Sequence, residues 1–190
     1  ELARAAWLRG AEVTLVTGPV AVAAPWGVEV VGVETAREMR EAVLARVAGV
    51  DVAVHAAAVA DYRPNSPRPG KLKRAETGDA LSLDLVSNPD IAAECAARMK
   101  PGSVGVGFAL ETSDLVARAT EKLAAKGFDL IVANPAGDPD AGFETDTNRV
   151  TMVGRNAPPR EFPLMSKFAA AWEILEAVED LLREKGEVGR

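Results

Sequence analysis

One cysteine (Cys95), one histidine (His55) and one tyrosine (Tyr62) are all that the 190 residues contain of each type. The lone cysteine excludes an intramolecular disulfide framework and makes cytoplasmic residence the expectation. One histidine and one cysteine cannot assemble a Cys/His zinc site. No apolar run approaches the roughly 18–20 residues that a bilayer span requires. The opening ELARAAWLRG mixes charges into its apolar residues and shows no cleavage-site pattern, so it does not read as a signal peptide. Basic residues are also outnumbered: 22 Lys and Arg against 28 Asp and Glu give a net charge of −6. That balance argues against general nucleic-acid binding, although a few local cations suffice for a small phosphate-bearing ligand. The remainder, 48% hydrophobic and 26% charged, is ordinary globular composition at a one-domain length.

Short β-branched runs alternate with alanine-rich helical stretches. Glu12–Gly18, Val28–Val33, Asp51–Ala58, Leu81–Val86, Ser103–Ala109 and Phe128–Asn134 read as strands. Helical spacing is expected over Thr35–Gly49, from Asn88 to Met99, and from about Thr112 to Lys126. Towards the end, NRVTMVG and REFPLM read as an antiparallel pair. Ser166 then caps a last helix carrying Phe168, Trp172, Leu175 and Leu182. This order predicts one α/β domain over residues 1–190: a doubly wound, mostly parallel Rossmann-like sheet with helices on both faces and a short antiparallel C-terminal addition. Ligands of such sheets bind beyond the carboxyl ends of the strands. The first residues already read as a helix (Leu2, Ala5, Ala6, Trp7) ending at Gly10. The expectation is therefore a chain without its first strand and glycine-rich turn.

Five segments are candidates for the chemistry. In HAAAVADYRP the small residues Ala56–Ala58 would let a flat ligand approach the backbone, and Asp61 offers a carboxylate; packing and a turn explain the same residues. GKLKR places Lys71, Lys73 and Arg74 on the long Val59–Asp79 loop, where they can neutralise a polyphosphate or simply be solvated. SNPDI reads as a helix start, with Asn88 as N-cap, Pro89 at the first helical position, Asp90 in the first turn and Ile91 following. A helix start after a strand is also a polar-ligand site. GVGFALET lacks the third glycine of a dinucleotide fingerprint, and Phe108 could pack on a base or in the core. Arg118, Lys122 and Lys126 form a row of like charges, unfavourable by about 0.2–0.5 kcal/mol per pair unless an anion bridges it. As an alternative, cations there complement the helix dipole.

Taken in order, AAVADYRP, KLKR, NPDI, VGFALET, KLAAKGFDLIVAN, GFETDTNRV and the SK before the last helix resemble the phosphopantothenate–cysteine ligases, the synthetase half of the bacterial bifunctional coenzyme A biosynthesis protein. The resemblance covers essentially the whole chain. It implies that CTP activates the carboxylate of 4′-phosphopantothenate as an acyl-cytidylate with release of pyrophosphate. The amine of cysteine then displaces CMP. It further implies that Ala57, Asp61, Asn88, Pro89, Asp90, Ile91, Phe108, Lys122 and Lys126 line the nucleotide site. Lys71 would bind phosphates and stabilise charge during activation, and Mg2+ would accompany the triphosphate; no metal ligand is nominated. A homodimer is implied too, the lysine loop crossing to the neighbour's site. Arg74 stands where the family has a second lysine, a change of donor geometry more than of charge. The family's glycine-rich turn and its Asn/Ser-Ser-Gly segment have no counterpart in these residues. The expectation is a chain that binds CTP and ligates poorly by itself.

Two other readings compete. The VAVHAAAVA stretch resembles the strand end of NAD(P)-dependent short-chain reductases, which pair a tyrosine with a lysine four positions on. Here the only tyrosine, Tyr62, is followed at that spacing by Ser66. A non-catalytic nucleotide-binding module is the other, and it would bind nucleotide without releasing pyrophosphate.

Overall fold

The computed structural model describes residues 1–67, 70–73, 80–137 and 145–188. Helix α1 (Leu2–Leu8) leads into the parallel pair β1 (Thr14–Thr17) and β2 (Glu29–Gly32), followed by α2 (Ala36–Leu44) and a 3-10 turn at Val47–Gly49. Next come β3 (Val52–His55), the hairpin strands β4 (Tyr62–Pro64) and β5 (Leu85–Ser87), and α3 (Ile91–Ala96). The centre of the molecule is β6 (Val104–Glu111), α4 (Leu115–Lys126) and β7 (Leu130–Pro135). Short strands β8 (Thr147–Asn148), β9 (Thr151–Gly154), β10 (Arg160–Glu161) and β11 (Met165–Ser166) precede the long helix α5 (Lys167–Val188).

Five strands form the main sheet in the order β10-β9-β7-β6-β3. β3, β6 and β7 run parallel, and β9 and β10 close the sheet antiparallel, as the C-terminal pattern predicted. Side-chain alternation along β6 explains why both faces are covered. Val104, Val106 and Phe108 pack with Ile174 and Val178 of α5, whereas Ala109 packs with Ala119 and Leu123 of α4 and with Phe128. β6 is buried from Val104 to Gly107 and again at Ala109, which is why that stretch reads as a continuous apolar run. α1 joins the α5 face: Leu2 packs on that core, and Arg9 bonds Glu179 (2.9 Å) and stacks on Trp172. Among the described residues, β1 and β2 pair only with each other and make no ladder to β3.

Three expectations need correction. The strand expected over Leu81–Val86 is only Leu85–Ser87, since its partner β4 ends at Pro64 and a single further bond, from Asn65 N to Asp84 O (2.9 Å), follows it. NRVTMVG and REFPLM are each divided in two, β9 pairing with β10 and β8 with β11. The helix expected from Asn88 to Met99 runs only from Ile91 to Ala96, and its N-cap is Asp90, whose carboxylate accepts from Ala93 N at 3.1 Å. The reading of Asn88 as the cap fails because its side chain is bonded elsewhere. Ser166 does cap the last helix, accepting from Ala169 N at 3.1 Å.

Candidate active site

The loop that leaves β3 carries Ala57 and Asp61, both exposed. It is held from below by Asn88. The Asn88 amide nitrogen of the backbone donates to Asp61 O (2.7 Å), and Asn88 Nδ2 donates to Ala60 O (2.7 Å). Arg63 Nη1 donates to Asn88 Oδ1 (3.1 Å) and to the Ser87 carbonyl. Two motifs separated by 20 to 30 residues in sequence are thus one hydrogen-bonded unit. An open depression of about 500 Å3 lies beside it, lined in part by Arg37, Arg63, Asn88 and Pro89.

Asp90 connects this unit to α4. Its carboxylate bonds Lys126 Nζ while also capping α3. Partial burial would raise its pKa, but the Lys126 and Ala93 donors outweigh this and hold the group below its ordinary value. One turn earlier on α4, Lys122 Nζ donates to Phe108 O at 2.7 Å. Arg118 turns to Glu111 (3.8 Å). The row of like charges is therefore relieved by three separate acceptors within the protein, with Lys126 also sitting at the helix C-terminus where the dipole favours it. Ile91, beside the cap, is buried.

The sequence-predicted residues fall into three places. Ala57, Asp61, Asn88 and Pro89 surround the strand-end loop, and Asp90, Lys122 and Lys126 lie together over the α3/α4 face. Phe108 joins the second group through its backbone carbonyl only. Its ring packs with the α5-side core, on the opposite face of the sheet. Lys71 stands apart, exposed on its loop. Arg74, and Gly142 to Glu144 of GFETDTNRV, lie outside the described residues. Among the described residues, no group of three or more His, Cys, Asp or Glu side chains could hold a metal ion. Magnesium commonly keeps several waters and rides on substrate phosphates, so it needs no all-protein cage.

Two residues beside the site carried no sequence signal of their own. Arg63 sits between the singled-out Asp61 and Pro64, and only the pairing of β4 with β5 shows what it reaches. His55, at the end of β3, stacks on Phe128 with ring centroids 5.4 Å apart. Burial lowers its pKa below the usual 6.5, partly opposed by the Asp90 charge. Cys95 is fully buried in α3, its thiol pushed up to about 11 by burial, a packed and unreactive side chain.

Mixed α/β sheets of this kind bind ligands beyond the carboxyl ends of their parallel strands, and the loop that leaves β3 lies there. Residues 1–182 match the DNA/pantothenate metabolism flavoprotein C-terminal domain, and the chain belongs to that family. It is 41% identical over 187 residues to the coenzyme A biosynthesis bifunctional protein CoaBC of Bacillus subtilis (strain 168), covering 98% of this chain and 45% of that protein. To the protein of the same name from Escherichia coli (strain K12) it is 39% identical over 185 residues, covering 97% and 45%. The chain spans just under half the length of these curated relatives. Among solved structures, the C-terminal domain of a CoaBC protein superposes with a TM-score of 0.79 at 36% identity, covering 96% of this chain and 81% of that one. A more distant structure, 18% identical with a TM-score of 0.64 over 85% of this chain and 55% of that one, is a complex with phosphopantothenate-cysteine and shares the fold. Among the described residues, no helix is long and apolar enough to cross a membrane.

Proposed function

We propose that this chain is the phosphopantothenate–cysteine ligase unit of coenzyme A biosynthesis, using CTP. The observation that carries the reading is the joining of the family-like motifs in space: Asn88 ties the Ala57–Asp61 loop to the start of α3, and Asp90 ties that start to Lys126. The names of the relatives at about 40% identity support the pathway, and the distant product complex supports the substrate class.

In the first step a carboxylate oxygen of 4′-phosphopantothenate attacks the α-phosphorus of CTP and pyrophosphate leaves. In the second, the cysteine amine attacks the acyl carbon, the amide forms, a proton is released and CMP departs. Neither step needs a protein nucleophile; both need charge held in place around phosphates. Lys122 and Lys126 supply fixed cations that exchange an internal acceptor for a ligand oxygen, and Lys71 brings a cation from the loop onto the phosphates. Asp61 presents a carboxylate at the mouth, and Pro89 and Ile91 fix the backbone beside the base. Magnesium would be held by the triphosphate oxygens, with no ligand among these residues, and would supply neutralisation of part of the triphosphate charge.

A homodimer in the cytoplasm completes the proposal. Leu81 and Leu83, just before β5, and Leu85 within it are exposed, which fits a surface covered by a second copy. Pyrophosphate release on mixing the chain with Mg2+, CTP and 4′-phosphopantothenate tests the reading. Release that requires phosphopantothenate and drops by about 100-fold or more in Lys71→Ala is expected. Release indifferent to Lys71→Ala, or sustained by ATP and not CTP, would contradict it.

A further inference from the structure

We infer that Arg63 is a positioning residue for the nucleotide site, acting through Asn88. The inference rests on the nucleotide reading above and adds a residue to it. Asn88 has four polar commitments to offer at its side chain: two N–H donors and two lone pairs. One donor is spent on Ala60 O (2.7 Å), and one lone pair accepts from Arg63 (3.1 Å). Its backbone N–H is spent on Asp61 O (2.7 Å). Asn88 is thus a bridge between two segments of this protein, and its contribution to a ligand is indirect.

Arg63 decides which way that bridge faces. The primary amide of asparagine is nearly symmetric in shape, so only its partners fix which end is oxygen. A guanidinium accepts nothing and must meet Oδ1, which turns Nδ2 towards the Ala60 carbonyl. Its second bond, to the Ser87 carbonyl, anchors the end of β5 to β4 directly before Pro89 and the α3 cap. Without Arg63, the amide can rotate and the Ala60 carbonyl loses its side-chain donor, while the Ser87 carbonyl loses the anchor that holds the following Asn88 N–H on Asp61 O. Asp90, two residues on, carries Lys126, so the same change reaches the cation face.

The test uses this chain with Arg63→Met, which keeps the aliphatic stem without donors, and Arg63→Lys, which restores a charged donor on a similar stem. Calorimetric titration with Mg2+ and CTP should show Kd raised on the order of tenfold in Arg63→Met, the size of a lost charge-assisted hydrogen bond, and restored to within about threefold in Arg63→Lys. Asn88→Asp keeps the acceptor for Arg63 and removes the donor to Ala60, and should weaken CTP as Arg63→Met does. Amide hydrogen exchange without ligand supplies the second readout: protection at Asn88 N–H should fall in Arg63→Met, and the amides of β6 and β7 should be unchanged. Unchanged Kd or unchanged Asn88 protection in Arg63→Met, with the unsubstituted chain binding CTP normally, overturns the role of Arg63 alone. Equal loss of protection in β6 and β7 would mean a general structural role and overturns it too. If the unsubstituted chain takes up no CTP, the nucleotide reading itself fails.

Discussion

Gly107 lies opposite His55 in the β3–β6 ladder, and a Cβ at that position would fall 2.4 Å from Phe128 Cε2 and 2.8 Å from Ile131 Cδ1. Both neighbours are buried, so neither ring nor methyl can swing into solvent. Gly107→Ala is expected to cost about 1–3 kcal/mol and to lower Tm by several degrees in a thermal melt. His55 sits on the same Phe128 ring, and its pH behaviour follows from burial. Its folded pKa is below 6.5, so between the two values the unfolded chain binds a proton that the folded chain refuses. The stability that His55 contributes is full above about pH 6.5 and is lost as the pH falls towards the folded pKa. Melts at pH 5 and pH 7 should show a smaller pH dependence in His55→Gln; an identical dependence would contradict this. Asp90 shows what single residues can and cannot announce. The chemistry of SNPDI marked a helix start correctly but pointed to Asn88 as its cap, and only the distant partners Ala60 and Arg63, which occupy the Asn88 side chain, leave the cap to Asp90.

At the scale of elements, period and capping were legible wherever a segment was buried on both sides or carried its own stop. α4 is an example: its C-terminus at Lys126 is followed by Gly127 in the left-handed conformation (φ 71°) that glycine adopts without strain. α5 is another, started by Ser166. Ser166→Ala should cost about 1 kcal/mol, read as a lower denaturation midpoint with unchanged m value, and Ser166→Asp, which keeps a capping oxygen, should avoid most of that loss. The Leu81, Leu83, Leu85 alternation misled because alternation states which face is apolar and not whether a partner strand exists. All three leucines are exposed, and only Leu85 finds a partner, in Pro64. The last helix was legible as an element but not in orientation: Trp172 faces outward under Arg9, and Ile174 and Val178 fill the core, because α1 takes up part of that face. Phe108 illustrates the same limit within a strand. Its place near a strand end gave no sign of which face of β6 its ring would take, and the alternation set by buried Val104 and Val106 decides it.

For the molecule as a whole, the sheet's parallel core and its antiparallel closure follow from the order of elements, and so does the place of the Ala57–Asp61 and Asn88–Asp90 segments after the carboxyl ends of β3 and β5. The unlinked β1–β2 pair does not, since strand adjacency is a property of the complete tertiary arrangement. The claim that organises the rest is that this face and its clamped loop take CTP. Thermal denaturation in Mg2+ with CTP, ATP or NADPH, each at the same concentration, tests it most directly. A ligand present at 100 times its Kd adds about 2.7 kcal/mol, a rise of several degrees in Tm for a domain of this size. The account predicts that rise with CTP, a smaller one with ATP, and its loss in Lys126→Ala. A rise with NADPH alone, or a CTP effect that Lys126→Ala leaves intact, would contradict it.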